Sequence, residues 1–277
     1  MGISRAFSLL QQPSRAWEIF RCARETPRWA GVASAVLEIS HPAYPSVVPL
    51  RRGRPIPIEN LSDLKTFWQV FARHVYRVNR SDMVILDVGA NIGLFTLYAA
   101  RHAPAAKIVA VEPFPSTFER LQQTVRDHGL GDQVTCLNLA VTGDSGTYRM
   151  RDVPMPSQQR QVIPPKQDGA GIQVRGVTLT ELMQECHLDG IDLLKMDIEG
   201  GEYPALLATP VQVLGTIRRI ALEYHGHCLP YTKQQLFSHL SEAGFQITSD
   251  AQNDKGYGLA EAVATGPSLS AAGNVVA

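Results

Sequence analysis

VILDVGANIGLFT, residues 84–96, decides the fold. An apolar run closes on Asp87, Gly89 and Gly93 flank a tight turn, and an apolar helix follows. A strand that turns through glycine into a helix opens a nucleotide-binding α/β unit, because the turn brings backbone N–H groups and a helix N-terminus against a ligand. The dinucleotide fingerprint spaces three glycines as G-x-G-x-x-G. Here Asn91 sits where the second belongs and the third is missing. That departure argues against a pyrophosphate, and so against NAD or FAD.

Outward from this turn, strands alternate with helices. Residues 83–88, 107–112, 133–141, 191–199 and 218–224 read as buried strands, and 94–103, 115–128 and 232–243 as helices, with Gly129 stopping the second. Strands at 245–250 and 256–265 close the series. Alternation predicts an α/β fold, a mostly parallel sheet covered on both faces, with strand C-termini on one ligand-binding edge. Upstream, residues 62–76 predict a helix capped by Ser62, and residues 14–25 a shorter amphipathic one. Between them lie Pro42, Pro45, Pro49, Pro55 and Pro57, with a β-like piece at 46–50. The expected division is an N-terminal extension at 1–60, a core domain at 61–265 and a disordered tail at 266–277. The Pro- and Gln-rich stretch 151–171 reads equally as a solvated insertion or a lid.

The 277 residues are 44% hydrophobic and 19% charged, which argues against a disordered chain. Lys+Arg and Asp+Glu number 26 each, so the charge is balanced and no nucleic-acid partner is expected; Arg51-Arg52-Gly53-Arg54 reads as a solvated loop. Cys22, Cys136, Cys186 and Cys228 form no C-x-x-C pair, so no zinc or redox motif is expected. No run approaches the roughly 20 apolar residues of a membrane span. A soluble, cytoplasmic protein is the expectation.

Acids close successive strands. Glu112, about 20 residues beyond the turn, stands where a carboxylate accepts from ribose hydroxyls, with Pro113 and Phe114 placed to lie against a base. The fourth strand carries Lys195 and ends in Asp197-Ile198-Glu199-Gly200-Gly201-Glu202. Alternation puts Asp197 and Glu199 on one side, while Glu202 reads as a helix N-terminal acid. The fifth strand ends in Glu223-Tyr224-His225, with His227 beyond.

These four stretches together resemble the FkbM family of S-adenosylmethionine-dependent methyltransferases. The matching residues are 87–93 with Thr96, Glu112-Pro113, 192–200 with Glu202, and 223–225; residues 66–76 resemble the approach to the first strand, and the similarity covers roughly 61–265. The resemblance implies a class I methyltransferase fold, Rossmann-like, with a seven-stranded sheet whose last strand is antiparallel. It implies S-adenosylmethionine as methyl donor and, most often, a hydroxyl acceptor on a polyketide, sugar or other small secondary metabolite. On this basis Gly89, Ala90 and Gly93 are assigned to the homocysteine side of the cofactor, with Asp87, Asn91 and Thr96 in the same binding set. Glu112 is assigned to the ribose, Asn138 and Ala140 to the adenine alongside Pro113 and Phe114, and Asp197 to the methionine end. His225 is the expected general base because its ordinary pKa lies nearest neutrality, oriented by Asp197, Glu199 or Glu223. No metal is expected, although an acidic cluster could hold Mg²⁺. Rival readings are a small-molecule N-methyltransferase, a macromolecule methyltransferase, a nicotinamide-dependent oxidoreductase and a non-catalytic cofactor-binding protein. The expected partner is a small-molecule acceptor; the oligomeric state, homodimer included, stays open.

Overall fold

The computed structural model describes residues 13–150, 162–163, 171–225, 230–252 and 257–266. Helices α1 (Pro13–Glu25) and α2 (Trp29–Val36) lead to the hairpin β1 (Ser46–Val48) and β2 (Ile56–Ile58). Helix α3 (Leu61–Phe67) runs directly into a π-helix (Trp68–Arg73). Then follow β3 (Val84–Val88), α4 (Leu94–His102), β4 (Lys107–Val111), α5 (Pro115–Asp127) and β5 (Val134–Leu137). The middle of the chain holds β6 (Ala140–Val141), β7 (Gly146–Met150), β8 (Val162–Ile163), β9 (Ile172–Val177) and α6 (Leu179–Glu185). Strand β10 (Leu193–Met196), α7 (Glu202–Leu207), α8 (Val211–Leu214), β11 (Arg219–His225), α9 (Lys233–Glu242), β12 (Phe245–Gln252) and β13 (Tyr257–Ala264) complete it.

Seven strands form one sheet in the order β12-β13-β11-β10-β3-β4-β5. The five from β11 to β5 are parallel, and β13 runs antiparallel between β11 and β12. This is the Rossmann-like, mostly parallel sheet that the alternation predicts. Buried on both faces, its strands sort by period two. Ile85, Ile108, Leu193 and Ala221 join one apolar cluster, while Leu86, Val109, Leu194 and Leu222 join another. The first cluster also contains Cys22, Val32, Ile56 and Phe67. The N-terminal segment therefore shares its core with one face of the sheet. Trp68 Nε1 donates to Glu18 Oε2 at 3.0 Å and ties the π-helix to α1.

Three expectations are corrected. The helix predicted over 62–76 is capped by Asn60, not Ser62, and changes from α to π after Phe67. It stops at His74, whose φ of 54° is left-handed. The π turn lets Trp68, Val70, Phe71 and Ala72 all be buried, which a one-sided amphipathic helix would not. The strand predicted over 133–141 is two strands, because the Asn138 side chain donates to the carbonyls of Glu112 and Pro113 and turns the chain out of the large sheet. Beyond it, a second sheet of order β6-β9-β7-β8 was not anticipated. The 151–171 stretch lies largely outside the described residues, but Val162–Ile163 pairs with β7. The tail beyond Gly266 and His227 also lie outside them. No helix among the described residues is long and apolar enough to cross a membrane.

Candidate active site

The chain runs β3-β4-β5 to one side and returns to β10 on the other side of β3. At such a switch point the loops after the strands part and leave a crevice. A cavity of about 750 Å³ opens there, lined by the β3 turn, the ends of β4, β10 and β11, and the N-terminal segment.

On the β3 side, Gly89, Ala90 and Asn91 form the wall and Gly93 does not. Gly89 has φ 78°, and a Cβ there would lie 1.9 Å from the Asp197 carbonyl oxygen. At Gly93, a Cβ would meet Leu121 Cδ1 at 2.8 Å. Both glycines thus answer to packing inside the protein, and Gly93, expected on the homocysteine side of the cofactor, lies off the cavity wall. Asn91, at φ 52°, lines the cavity with a buried Oδ1 that has no hydrogen-bond partner among the described residues.

Glu112 is 8% exposed. Its Oε2 accepts from the Asn91 N–H and its Oε1 from the Phe114 N–H, both at 3.0 Å. Burial pushes the carboxyl up to about 7, against the pull of the two N–H groups. Each oxygen keeps lone-pair capacity toward the cavity. Pro113 and Ala140 line the wall as expected. Phe114 and Asn138 do not: Phe114 is buried with Tyr148 and Val174, and Asn138 holds the strand-end carbonyls. Asp87 and Thr96 are also off the wall and fully buried. Thr96 Oγ1 donates to Asp87 Oδ2 at 2.6 Å, and Lys195 Nζ pairs with Asp87 Oδ1 at 3.2 Å. Lys195 also donates to the Gly89 carbonyl at 2.7 Å, so this trio holds the turn from beneath.

On the other side Asp197, Glu199 and Glu223 line the cavity. Tyr76, which the sequence reading did not single out, brings its hydroxyl to 3.2 Å from Asp197 Oδ2 and 3.4 Å from Glu223 Oε2. Burial first, then the charge of Asp197, pushes the Glu223 carboxyl up to about 8.

His225 departs most from expectation. It is 2% exposed and is not on the cavity wall. Its Nδ1 lies 3.1 Å from Glu202 Oε1 and its Nε2 3.3 Å from Glu199 Oε2. Burial opposes its charge, but the two carboxylates overcome that and raise it to about 11. Off the cavity wall and with both ring nitrogens on carboxylates, His225 is not placed to take a proton from a molecule in the cavity, unlike the base expected of it. Glu202 is the helix N-terminal acid expected, in the first turn of α7, but it is fully buried and also accepts from the N–H groups of Ile198 and Gly200, fixing the turn after β10. Asp197, Glu223 and His225 do bring one donor atom each within 4.8 Å of one another. With both ring nitrogens of His225 spent on carboxylates, this trio does not fit a cation.

The chain is 26% identical over 213 residues to methyltransferase sdnD of Sordaria araneosa, covering 66% of this chain and 82% of that one. It is 26% identical over 184 residues to 31-O-demethyl-FK506 methyltransferase FkbM of Streptomyces tacrolimicus, covering 56% and 70%. A crystal structure of methyltransferase FkbM from Methylobacillus flagellatus aligns at 12% identity and TM-score 0.45, over 85% of this chain and 59% of that one. The family model described as the methyltransferase FkbM domain matches residues 87–247, more than half the sequence and all of the cavity's strand ends. The chain belongs to the FkbM methyltransferase family.

Proposed function

We propose that the protein transfers a methyl group from S-adenosylmethionine to a hydroxyl of a small molecule, with Glu223 as the base. The observation that carries this is the cavity itself: a ribose-type carboxylate, Glu112, at one end and the carboxylate pair Asp197 and Glu223 at the other. The donor set suits the cofactor. Glu112 has acceptor capacity for a diol, and the unpartnered Asn91 Oδ1 offers an acceptor to an N–H or O–H group. When bound, S-adenosylmethionine supplies a methyl group whose bond to sulfur breaks as the acceptor's oxygen forms its own, the electron pair leaving with the sulfur.

The chain's own residues do the rest. Glu223 takes the acceptor's proton in its ionised form, and a pKa raised to about 8 makes that form a stronger base than an ordinary carboxylate, with turnover rising as pH climbs through that value. Asp197, on the same stretch of wall, would face the methionine end of the cofactor. The β3 turn, anchored by Lys195 and Asp87, and Glu112 set the distance between donor and acceptor. The cavity volume lies within the roughly 300–1,000 Å³ range of small-molecule pockets. The name of the Streptomyces tacrolimicus relative, an O-demethyl substrate's methyltransferase, supports oxygen as the acceptor atom. The carboxylates Asp197, Glu199 and Glu223 on the wall favour an amine as the second reading, since a cationic acceptor would be drawn to them.

The test is transfer of labelled methyl from S-adenosylmethionine to a panel of hydroxylated and amino small molecules. Glu223→Gln should lower turnover on the responding acceptor by about 10²–10⁴-fold. Transfer that survives this change intact would remove Glu223 as the base.

A further inference from the structure

The segment before β3 reaches the carboxylates at the strand ends through Tyr76. Tyr76 is 6% exposed and lies 121 residues from Asp197 and 147 from Glu223 in sequence. Two contacts fix its ring: Phe95 meets it edge-on at 5.4 Å between centroids, and Lys195 Nζ lies 5.6 Å from its centre. With the ring clamped, the hydroxyl has one place to be, between two carboxylates that end adjacent parallel strands.

We propose that Tyr76 is a positioning residue of the base, its hydroxyl bridging Asp197 and Glu223 so that the two acids stand side by side on the cavity wall. This rests on the reading of Glu223 as the base. Two carboxylates this close repel, and each alone would turn away or take up a proton. A single hydroxyl hydrogen given to the nearer one, Asp197, offsets that repulsion and leaves Glu223 to accept the substrate's proton. Tyr76 remains a donor throughout, since burial and the charges of Asp197 and Glu223 hold its own pKa well above the ordinary value. The π-helix and the left-handed turn at His74 are the devices that deliver it, and such π turns concentrate at functional sites.

Glu223 is faced by Asp197 and Lys195 from β10 and its end, by Glu199 from the following loop, by His225 on its own strand and by Tyr76. Of these, only Tyr76 can be changed to an isosteric residue without altering a formal charge. A hydrogen bond to the charged form lowers a carboxyl's pKa, so its loss must raise the titration of the pair.

The experiment follows the side-chain carboxyl signals of ¹³C-labelled enzyme by NMR across pH, with S-adenosylhomocysteine as the bound probe. In Tyr76→Phe, with the probe still bound by calorimetry, the apparent titration of the Asp197–Glu223 pair should move up by about one unit. Phe95→Leu, which frees the ring but keeps the hydroxyl, should give a smaller shift in the same direction and stands in if Tyr76→Phe does not fold. Titration unchanged in the folded variants, with the probe still bound, overturns the role of Tyr76 alone. Failure of the wild-type enzyme to bind the probe, or full turnover in Glu223→Gln, overturns the underlying reading instead.

Discussion

At the scale of the residue, two side chains behave unlike their ordinary selves. His225 is caught between Glu199 and Glu202, each within 3.3 Å of a ring nitrogen. Its replacement by Gln leaves two acids without their cation, one of them fully buried. Removing one partner of a buried charge cluster costs about 3–5 kcal/mol, so denaturant unfolding should show His225→Gln destabilised by that order. A variant as stable as wild type would mean that the pairing is absent in solution. Glu112 differs in kind, since burial raises its carboxyl to about 7. Cofactor hydroxyls need it ionised, so affinity for S-adenosylhomocysteine should weaken as pH falls below about 7, approaching tenfold per unit. Calorimetry from pH 5.5 to 8.5 checks this, and Glu112→Gln should bind weakly and without that pH dependence.

At the scale of the element, the β3 turn is the part least able to change. Gly89 places its backbone where a methyl group would strike the Asp197 carbonyl, and its φ of 78° is already costly for any other residue. Overpacking of this kind costs about 1–3 kcal/mol and a left-handed conformation roughly 1–2 more. Gly89→Ala should therefore unfold at markedly lower denaturant, by about 3 kcal/mol, and lose probe binding as β10 shifts. The run of α3 into the π-helix is an element of a different kind. Its Asn60 cap accepts from the Asp63 N–H, and Asn60→Ala should cost about 1 kcal/mol. Because α3 leads into the π-helix that aims Tyr76, the same variant should also lower turnover, which a stability assay alone would not show.

At the scale of the whole molecule, the site sets how stability depends on pH. His225, Glu223 and Glu112 all have raised pKa values in the folded chain, at about 11, 8 and 7. For each, the folded state binds protons more tightly than the unfolded one. Their contribution is full below the unfolded pKa, near 6.5 for His and 4.5 for Glu, and is lost as pH rises through the folded value. The melting temperature should consequently be highest on the mildly acidic side and fall steadily from about pH 6 to pH 10. Thermal melts across that range decide it, and a rising curve would contradict the assignment of raised pKa values.

The sequence alone determined the sheet and one rim of the cavity. The glycine turn at 89–93, the strand-end acid Glu112 and the carboxylates after β10 and β11 are local signals: each follows from strand periodicity and turn chemistry within a few residues. Asp197, Glu199 and Glu223 could be placed at one edge because parallel strands with right-handed crossovers end on the same side. Tertiary structure alone decided which of these groups face the cavity and in what charge state. Nothing near His225 in sequence says that Glu202 will fold back onto it, so an ordinary pKa made it look like a base. Asp87 in β3, Thr96 in α4 and Phe114 before α5 lie beside the right strand ends but turn inward, Asp87 onto Thr96 and Lys195 and Phe114 into the cluster with Tyr148 and Val174. Tyr76 left no local signal at all. Its role exists only where a π turn, 121 residues before Asp197, brings a hydroxyl between two acids whose mutual repulsion needs it.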